Sequence, residues 1–323
     1  MTDSEFDIIE NYFTFPRVRR DVILPIGDDC AIVSPASGKQ LVVTTDTLIS
    51  GVHFPEQTSA ADIAYKSVMV NLSDLAAMGA EPAWLTLAIS LPEIDHEWLA
   101  EFSRQLSVLL AEHRISLIGG DTTRGPLSIT IQAMGLCEAE KILRRDAAVA
   151  GEKLFVTGAL GDAAIGLQAL QKQLSDVRLQ PCIDKLNRPL ARTGFARELS
   201  RYSRCAIDIS DGLMADLGHI LKASNCGAQI QIYDLPLSDA ASYYFQHYYK
   251  NTIDWSMVLT GGDDYELCFT ASEKDSQLLE QLAERCHLKV SCIGTVTSAP
   301  GISLVDTNGH ELDIERSGFD HFL

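Results

Sequence analysis

Apolar and polar positions along the chain follow two rhythms, one of about 3.6 residues and one of two, and these divide it into helices and strands. After Ser4, residues 7–13 have helical spacing behind a capping residue, which predicts a short amphipathic helix. Leu41 to Thr45 is a β-branched apolar run that predicts a buried strand. The stretch continues through Asp46 and Gly51 to His53 and Phe54, so the strand is expected to deliver Asp46 at its end. Residues 60–80 read as a helix in which Asp74 is the only charged side chain after Ser67, with Asn71 on the same face. The alternative there is a break, with Ser73 or Asp74 capping a new helix.

Residues 83–91 predict a strand, 95–114 a helix, 115–118 a strand ending in Gly119-Gly120-Asp121, and 127–136 another strand. Residues 138–152 are charged and lack apolar periodicity, which predicts a boundary between domains at 1–140 and 141–323. Beyond it, strands are expected at 153–157, 205–209, 228–233, 265–270, 289–296 and 302–305. Helices are expected at 187–200, 212–223 and 272–286, and Asn308-Gly309 marks a tight turn. Strands alternating with helices in both halves predict two mixed α/β domains, an α+β fold.

Composition narrows the function. At 323 residues and 46% apolar, the chain suffices for two packed domains. No apolar run approaches the roughly 20 residues that span a bilayer, and the N-terminus lacks the pattern of a signal peptide. A cytoplasmic protein without a membrane partner is expected. The eight cysteines show no CxxC pair, which argues against a zinc site or a redox dithiol. A formal charge of −18 argues against a nucleic-acid partner.

The candidate chemistry lies in recurring acidic corners: Gly27-Asp28-Asp29, Thr45-Asp46, Gly119-Gly120-Asp121, Asp208-Ile209-Ser210-Asp211-Gly212 and Gly261-Gly262-Asp263-Asp264. Singly, each is ordinary turn chemistry; together they suggest a cation site. Two carboxylates about 4 Å apart repel by roughly 4 kcal/mol at an effective dielectric near 20, so converging aspartates need cations between them. Donors restricted to Asp, Thr and Ser oxygens suit Mg²⁺, which commonly bridges carboxylates to phosphates. No G-x-x-x-x-G-K-[ST] loop and no kinase H-R-D or D-F-G element occurs, so ions would have to hold any ATP phosphates.

Several of these motifs together resemble a known family. Gly27-Asp28-Asp29-Cys30-Ala31, Thr45-Asp46-Thr47-Leu48 with Gly51-Val52-His53-Phe54, and residues 71–80 (NLSDLAAMGA) carry the N-terminal part of the likeness. Gly119-Gly120-Asp121-Thr122-Thr123, Asp208-Ile209-Ser210-Asp211-Gly212-Leu213 and Gly318-Phe319-Asp320-His321-Phe322 carry the rest. In this order they resemble the thiamine-monophosphate kinases, within the superfamily of aminoimidazole ribonucleotide synthetase and selenophosphate synthetase.

The resemblance implies ATP-dependent phosphorylation of thiamine monophosphate with several Mg²⁺ ions. It also implies an N-terminal domain for ATP and metal binding, whose sheets pair in a homodimer. By motif, the metal ligands would be Asp29, Thr44, Thr45, Asp46, Asp74, Asp121, Asp208 and Asp211, with Asp46, Asp74, Asp121 and Asp208 central to catalysis. ATP contacts would come from Gly120, Asp121, Arg145 and Ser210, with Arg144 as the alternative to Arg145; substrate contacts would come from His53, Asp263 and Phe319. The chain departs from the family at Asp263, where Glu is usual, at Phe319, where Tyr is common, and at Thr44, where Ser is usual. Two readings stay open beside this one: another ATP-using enzyme of the superfamily, and a non-catalytic nucleotide- or metal-binding protein. The first lacks support in a reactive N-terminal Cys or, for the purine enzyme, in Gly51-Val52-His53-Phe54. Against the second stands the full run of aspartates.

Overall fold

The computed structural model describes residues 4–16 and 18–312. These form two compact units, the first holding the described residues up to Leu75 together with Ala80–Glu140, the second holding Ala76–Gly79 and the described residues from Lys141 onward.

The first unit comprises α1 (Glu5–Tyr12), β1 (Val22–Leu24), β2 (Ile32–Val33), β3 (Lys39–Ile49), α2 (Ala60–Ala77, its last turn in the second unit), β4 (Glu81–Leu91), α3 (His96–Glu112), β5 (Ser116–Arg124) and β6 (Ser128–Glu138). The capping box is present: Ser4 accepts from the Asp7 N–H while Asp7 accepts from the Ser4 N–H. α2 runs unbroken through Ser73 and Asp74, which removes the alternative of a second cap there.

The sheet order is β3-β6-β4-β5, antiparallel except for the β4–β5 pair. Register decides which side chains share a face, because neighbours directly opposite on adjacent strands point the same way. Asp46, Ile131, Leu87 and Gly120 form one row; Thr47, Thr130, Ala88 and Asp121 form the next. Ile131 and Leu87 are buried, so the Asp46 row faces the core, whereas Thr47, Ala88 and Asp121 are exposed on the open face.

Two expectations about this sheet require correction. β3 extends from Lys39 to Ile49 with Asp46 in mid-strand, and as an edge strand it leaves Leu41 and Val43 51% and 49% exposed. A β-branched run fits an edge facing open surface as readily as a buried strand. The Gly119-Gly120-Asp121 segment is strand rather than corner, since β5 continues to Arg124 alongside β4.

The second unit comprises β7 (Lys153–Thr157), α4 (Asp162–Gln171), α5 (Gln180–Asn187), α6 (Thr193–Leu199), β8 (Cys205–Asp208), α7 (Leu213–Ser224), β9 (Gly227–Gln231), α8 (Asp239–Tyr248), α9 (Trp255–Thr260), β10 (Leu267–Ala271), α10 (Ser276–Arg285), β11 (Val290–Thr297) and β12 (Gly301–Val305). Its sheet runs β12-β9-β11-β7-β10-β8, with only β12 and β9 parallel. The helix expected over 187–200 starts only at Thr193, because Pro189 cannot donate a helical hydrogen bond and α5 ends ahead of it. At the far end, Gly309 donates to the Asp306 carbonyl in the turn expected at Asn308-Gly309.

A buried charge ties this unit together. Glu266, 1% exposed, accepts from Lys185 Nζ at 2.6 Å, from Arg192 Nε at 2.7 Å and from Thr157 Oγ1 at 2.7 Å. Burial alone would raise its carboxyl pKa, but the charges of Lys185 and Arg192 prevail and hold it below the ordinary value. Glu266→Ala leaves both cations largely desolvated without their anion. It is expected to cost about 3–5 kcal/mol of unfolding free energy, read from urea denaturation.

Candidate active site

In the first unit, a cleft of about 500 Å³ opens beside the hairpin formed by β1 and β2. Val22 anchors the hairpin in a cluster with Trp84, whose indole N–H donates to Asp21 at 3.2 Å. The connecting loop carries Gly27, Asp28, Asp29 and Cys30 into the cleft opposite Leu87, Gly119, Gly120 and Asp121, while Phe6, Ile9 and Phe13 supply an apolar wall. Three expected residues, Asp29, Gly120 and Asp121, therefore share one cavity of ligand size.

Gly120 shapes this wall. A Cβ there would lie 1.9 Å from the Leu87 carbonyl oxygen, so only glycine lets β5 approach β4 at this row. At Gly119 the nearest atom to such a Cβ is the Thr86 methyl at 3.9 Å, ordinary contact distance.

The remaining first-unit residues lie elsewhere on the sheet. Thr44 Oγ1 donates to Asp74 Oδ2, joining β3 to α2, and Asp46 stands on the same face two residues along β3. Thr45 points to the open face. Asp46 and Gly120 share a row but stand on the two edge strands, roughly 14 Å apart at about 4.8 Å per strand spacing. Consistent with that separation, no group of three His, Cys, Asp or Glu side chains poised for a metal ion is found among the described residues. His53 folds back on the strand end: its Nδ1 accepts the Ile49 N–H at 3.0 Å, which places the ring proton on Nε2, while its carbonyl accepts from Lys66.

In the second unit, β8 ends at Asp208, which is 3% exposed, and leads into the Ile209-Ser210-Asp211-Gly212 corner ahead of α7. The Gly261–Asp264 loop is stitched to it: Asp263 N–H donates to the Ser210 carbonyl at 2.8 Å and Tyr265 N–H to that of Ile209 at 2.7 Å. Asp263 and Tyr265 hold positive φ angles of 69° and 48°, and the Tyr265 hydroxyl donates to Asp263 Oδ1 at 3.1 Å. Asp263 is thus brought to Ser210. Its neighbour Asp264 is fully buried and accepts the Gly161 N–H at 2.9 and 3.1 Å; burial pushes its carboxyl well above the usual carboxylate range.

Of the two candidate arginines, Arg144 is engaged with Asp146 at 2.6 Å on the surface. Arg145 is anchored through its carbonyl by Ser224 Oγ at 2.8 Å, and its charge reaches Asp216 beside the Ser210–Asp211 corner. Phe319 lies outside the described residues.

These donors are all hard oxygens, the set that suits Mg²⁺. The half-buried Thr44–Asp74 pair and the buried Asp208 supply oxygen atoms of the kind such a cation takes.

Known proteins are similar to this chain in sequence and fold. Residues 27–137 match the family model for the AIR synthase related protein, N-terminal domain, and residues 149–307 that for its C-terminal domain. The thiamine-monophosphate kinase of Escherichia coli K12 is 43% identical over 327 residues, covering 100% of this chain and 99% of the relative. The chain belongs to the thiamine-monophosphate kinase family. The crystal structure of thiamine-monophosphate kinase from Stenotrophomonas maltophilia K279a is 44% identical, with a TM-score of 0.83 over 88% of this chain and 92% of that one. A structure of AaThiL complexed with AMPPCP and TMP is 29% identical, with a TM-score of 0.78 over 92% of each chain.

Two residues of this family member escaped the sequence reading. Glu266 and Asp216 shape the second-unit loops, yet each binds partners far along the chain or in the backbone, which no local pattern marks. An acidic residue in the first turn of α7 was the one available signal for Asp216.

The wall of the cleft yields a paired prediction. Gly120→Ala is expected to cost about 3 kcal/mol or more by overpacking, whereas Gly119→Ala stays within about 0.5 kcal/mol of the parent, both measured by urea unfolding.

Proposed function

We propose that this chain transfers the γ-phosphoryl group of ATP to thiamine monophosphate, giving thiamine diphosphate and ADP. What carries the reading is the full-length likeness to the Escherichia coli thiamine-monophosphate kinase, 43% identical over 327 residues. Further support comes from a related structure that holds AMPPCP and TMP together.

A phosphate oxygen of the acceptor attacks the γ-phosphorus in line, and the bond from that phosphorus to the β,γ-bridging oxygen breaks, so that ADP leaves with the electron pair. The acceptor is already an anion, so no general base has to remove a proton. The main obstacle is bringing two polyanions together. Asp29, Asp46, Asp74 and Asp121 in the first unit, with Thr44 and Thr45, would hold Mg²⁺, as would Asp208 and Asp211 in the second; when bound, Mg²⁺ neutralises phosphate charge. The chain's own part is positioning. By motif, Gly120, Asp121, Arg145 and Ser210 are contacts of the nucleotide, and His53 is a contact of the acceptor. Asp263 and Phe319 complete the acceptor's surroundings.

The active form is a homodimer joined through the open face of the β3-β6-β4-β5 sheet. Exposed Leu41, Val43 and Ile49 favour burial against a second copy. The spread of the ligands over both edges of one sheet also favours a partner that brings opposite edges together.

Two outcomes test this. Asp46→Asn is expected to lower kcat about 100-fold or more while leaving Tm within about 2 °C, since the substitution is isosteric and half-exposed. Val43→Glu is expected to shift the protein to monomers in sedimentation velocity, because it places a charge in the apolar contact.

A further inference from the structure

The corner Ser210-Asp211-Gly212 sits at the start of α7, a twelve-residue helix. Successive N–H groups at such a turn, together with the positive end of the helix dipole, form a ready anion site, the arrangement by which P-loop enzymes cradle phosphate. Here that position is filled from within. Asp216, 3% exposed in the first turn of α7, accepts the N–H groups of both Ser210 and Asp211 on its Oδ2 atom, each at 3.0 Å.

We propose that Asp216 is a positioning residue: by occupying the anion site of the α7 turn it fixes the Ser210–Asp211 backbone, so that these two N–H groups do not take phosphate and the corner presents its side chains to cation and nucleotide. This rests on the proposed function, in which Asp211 is a metal ligand and Ser210 an ATP contact. Two further backbone bonds hold the corner in one direction. Ile209 N–H donates to the Glu266 carbonyl at 2.8 Å, and the Ser210 carbonyl accepts from Asp263. Gly212 takes a φ of +104°, where a Cβ would lie 2.7 Å from the Thr260 backbone, so the turn cannot relax toward α9. Asp216 is the acceptor for the backbone N–H groups of both Ser210 and Asp211. Losing that acceptor leaves them unsatisfied and open to phosphate or water. This also explains how a phosphate-transferring chain with a helix start beside an acidic motif manages without a glycine-rich phosphate loop.

The test compares Mn²⁺ binding, read by the electron paramagnetic resonance signal of free Mn²⁺, with steady-state kinetics for wild type, Asp216→Ala, Asp216→Asn, Asp216→Glu and Asp211→Asn. Asp216→Ala is expected to weaken Mn²⁺ binding about 10- to 100-fold and to lower kcat, with KM for thiamine monophosphate little changed. Asp216→Asn keeps an oxygen acceptor for the same two N–H groups and is expected to recover binding to within about tenfold of wild type. Asp216→Glu keeps the charge but moves the acceptor by one methylene, so it is expected to share the loss and serves if the alanine variant does not fold. Wild-type Mn²⁺ affinity and kcat in Asp216→Ala or Asp216→Glu, with only stability lowered, overturn the proposal and leave Asp216 a structural residue. Wild-type Mn²⁺ binding and turnover in Asp211→Asn would instead overturn the reading of Asp211 on which the proposal rests.

Discussion

A β-strand presents its side chains alternately to two faces, and this alternation, locked by register, is the constraint on which the first unit's chemistry depends. Because Asp46 pairs with Ile131 and Ala88 with Asp121, the carboxylates of Asp46 and Asp121 go to opposite faces of the sheet. A slip of one residue in β5 would turn Asp121 to the face that Asp46 occupies. Gly120 limits such a slip, since only its lack of a side chain fits the close approach to Leu87. The same geometry separates the hydroxyls: Thr44 turns inward to Asp74, while Thr45 and Thr47 line the open face.

The second unit solves a different problem, that of holding acidic loops in place without collapse or repulsion. Its answer is to tie backbone to backbone, through the Asp263–Ser210, Tyr265–Ile209 and Ile209–Glu266 bonds, and to bury the carboxylates that do the tying. Asp264 accepts the Gly161 N–H, Asp216 accepts two N–H groups, and Glu266 is matched by Lys185 and Arg192. Buried carboxyl groups are costly unless each is matched, and each here has N–H groups or cations as partners. Asp263 and Tyr265 hold left-handed φ angles within this network, a strain that the surrounding bonds sustain next to the corner that the chemistry uses.

Much of the fold was legible in the amino-acid order where the signals are local. The cap at Ser4, the helical pattern that carries Asp74, and the strands on either side of the acidic motifs follow from periodicity and caps, whereas the continuity of the helix past Ser73 does not. The motifs themselves marked Asp29, Gly120 and Asp121, which meet in one cleft. What was not legible is non-local. Periodicity establishes that β3 alternates but not which of its faces is covered, so an edge strand read as a buried one. Likewise, nothing in the run Gly119-Gly120-Asp121 reveals that Gly120 serves a close strand pair rather than a turn. The partners of Glu266 are separated from it by 74, 81 and 109 residues, beyond the reach of any pattern along the chain.

In the proposed function, these oxygen donors serve transfer of phosphate to phosphate. The most direct test is phosphorus NMR of the products formed from ATP and Mg²⁺ with thiamine monophosphate, with thiamine, or with no acceptor. The account expects thiamine diphosphate and ADP with the monophosphate alone. ADP without a thiamine diphosphate signal, or no ADP under any of the three conditions, would contradict it.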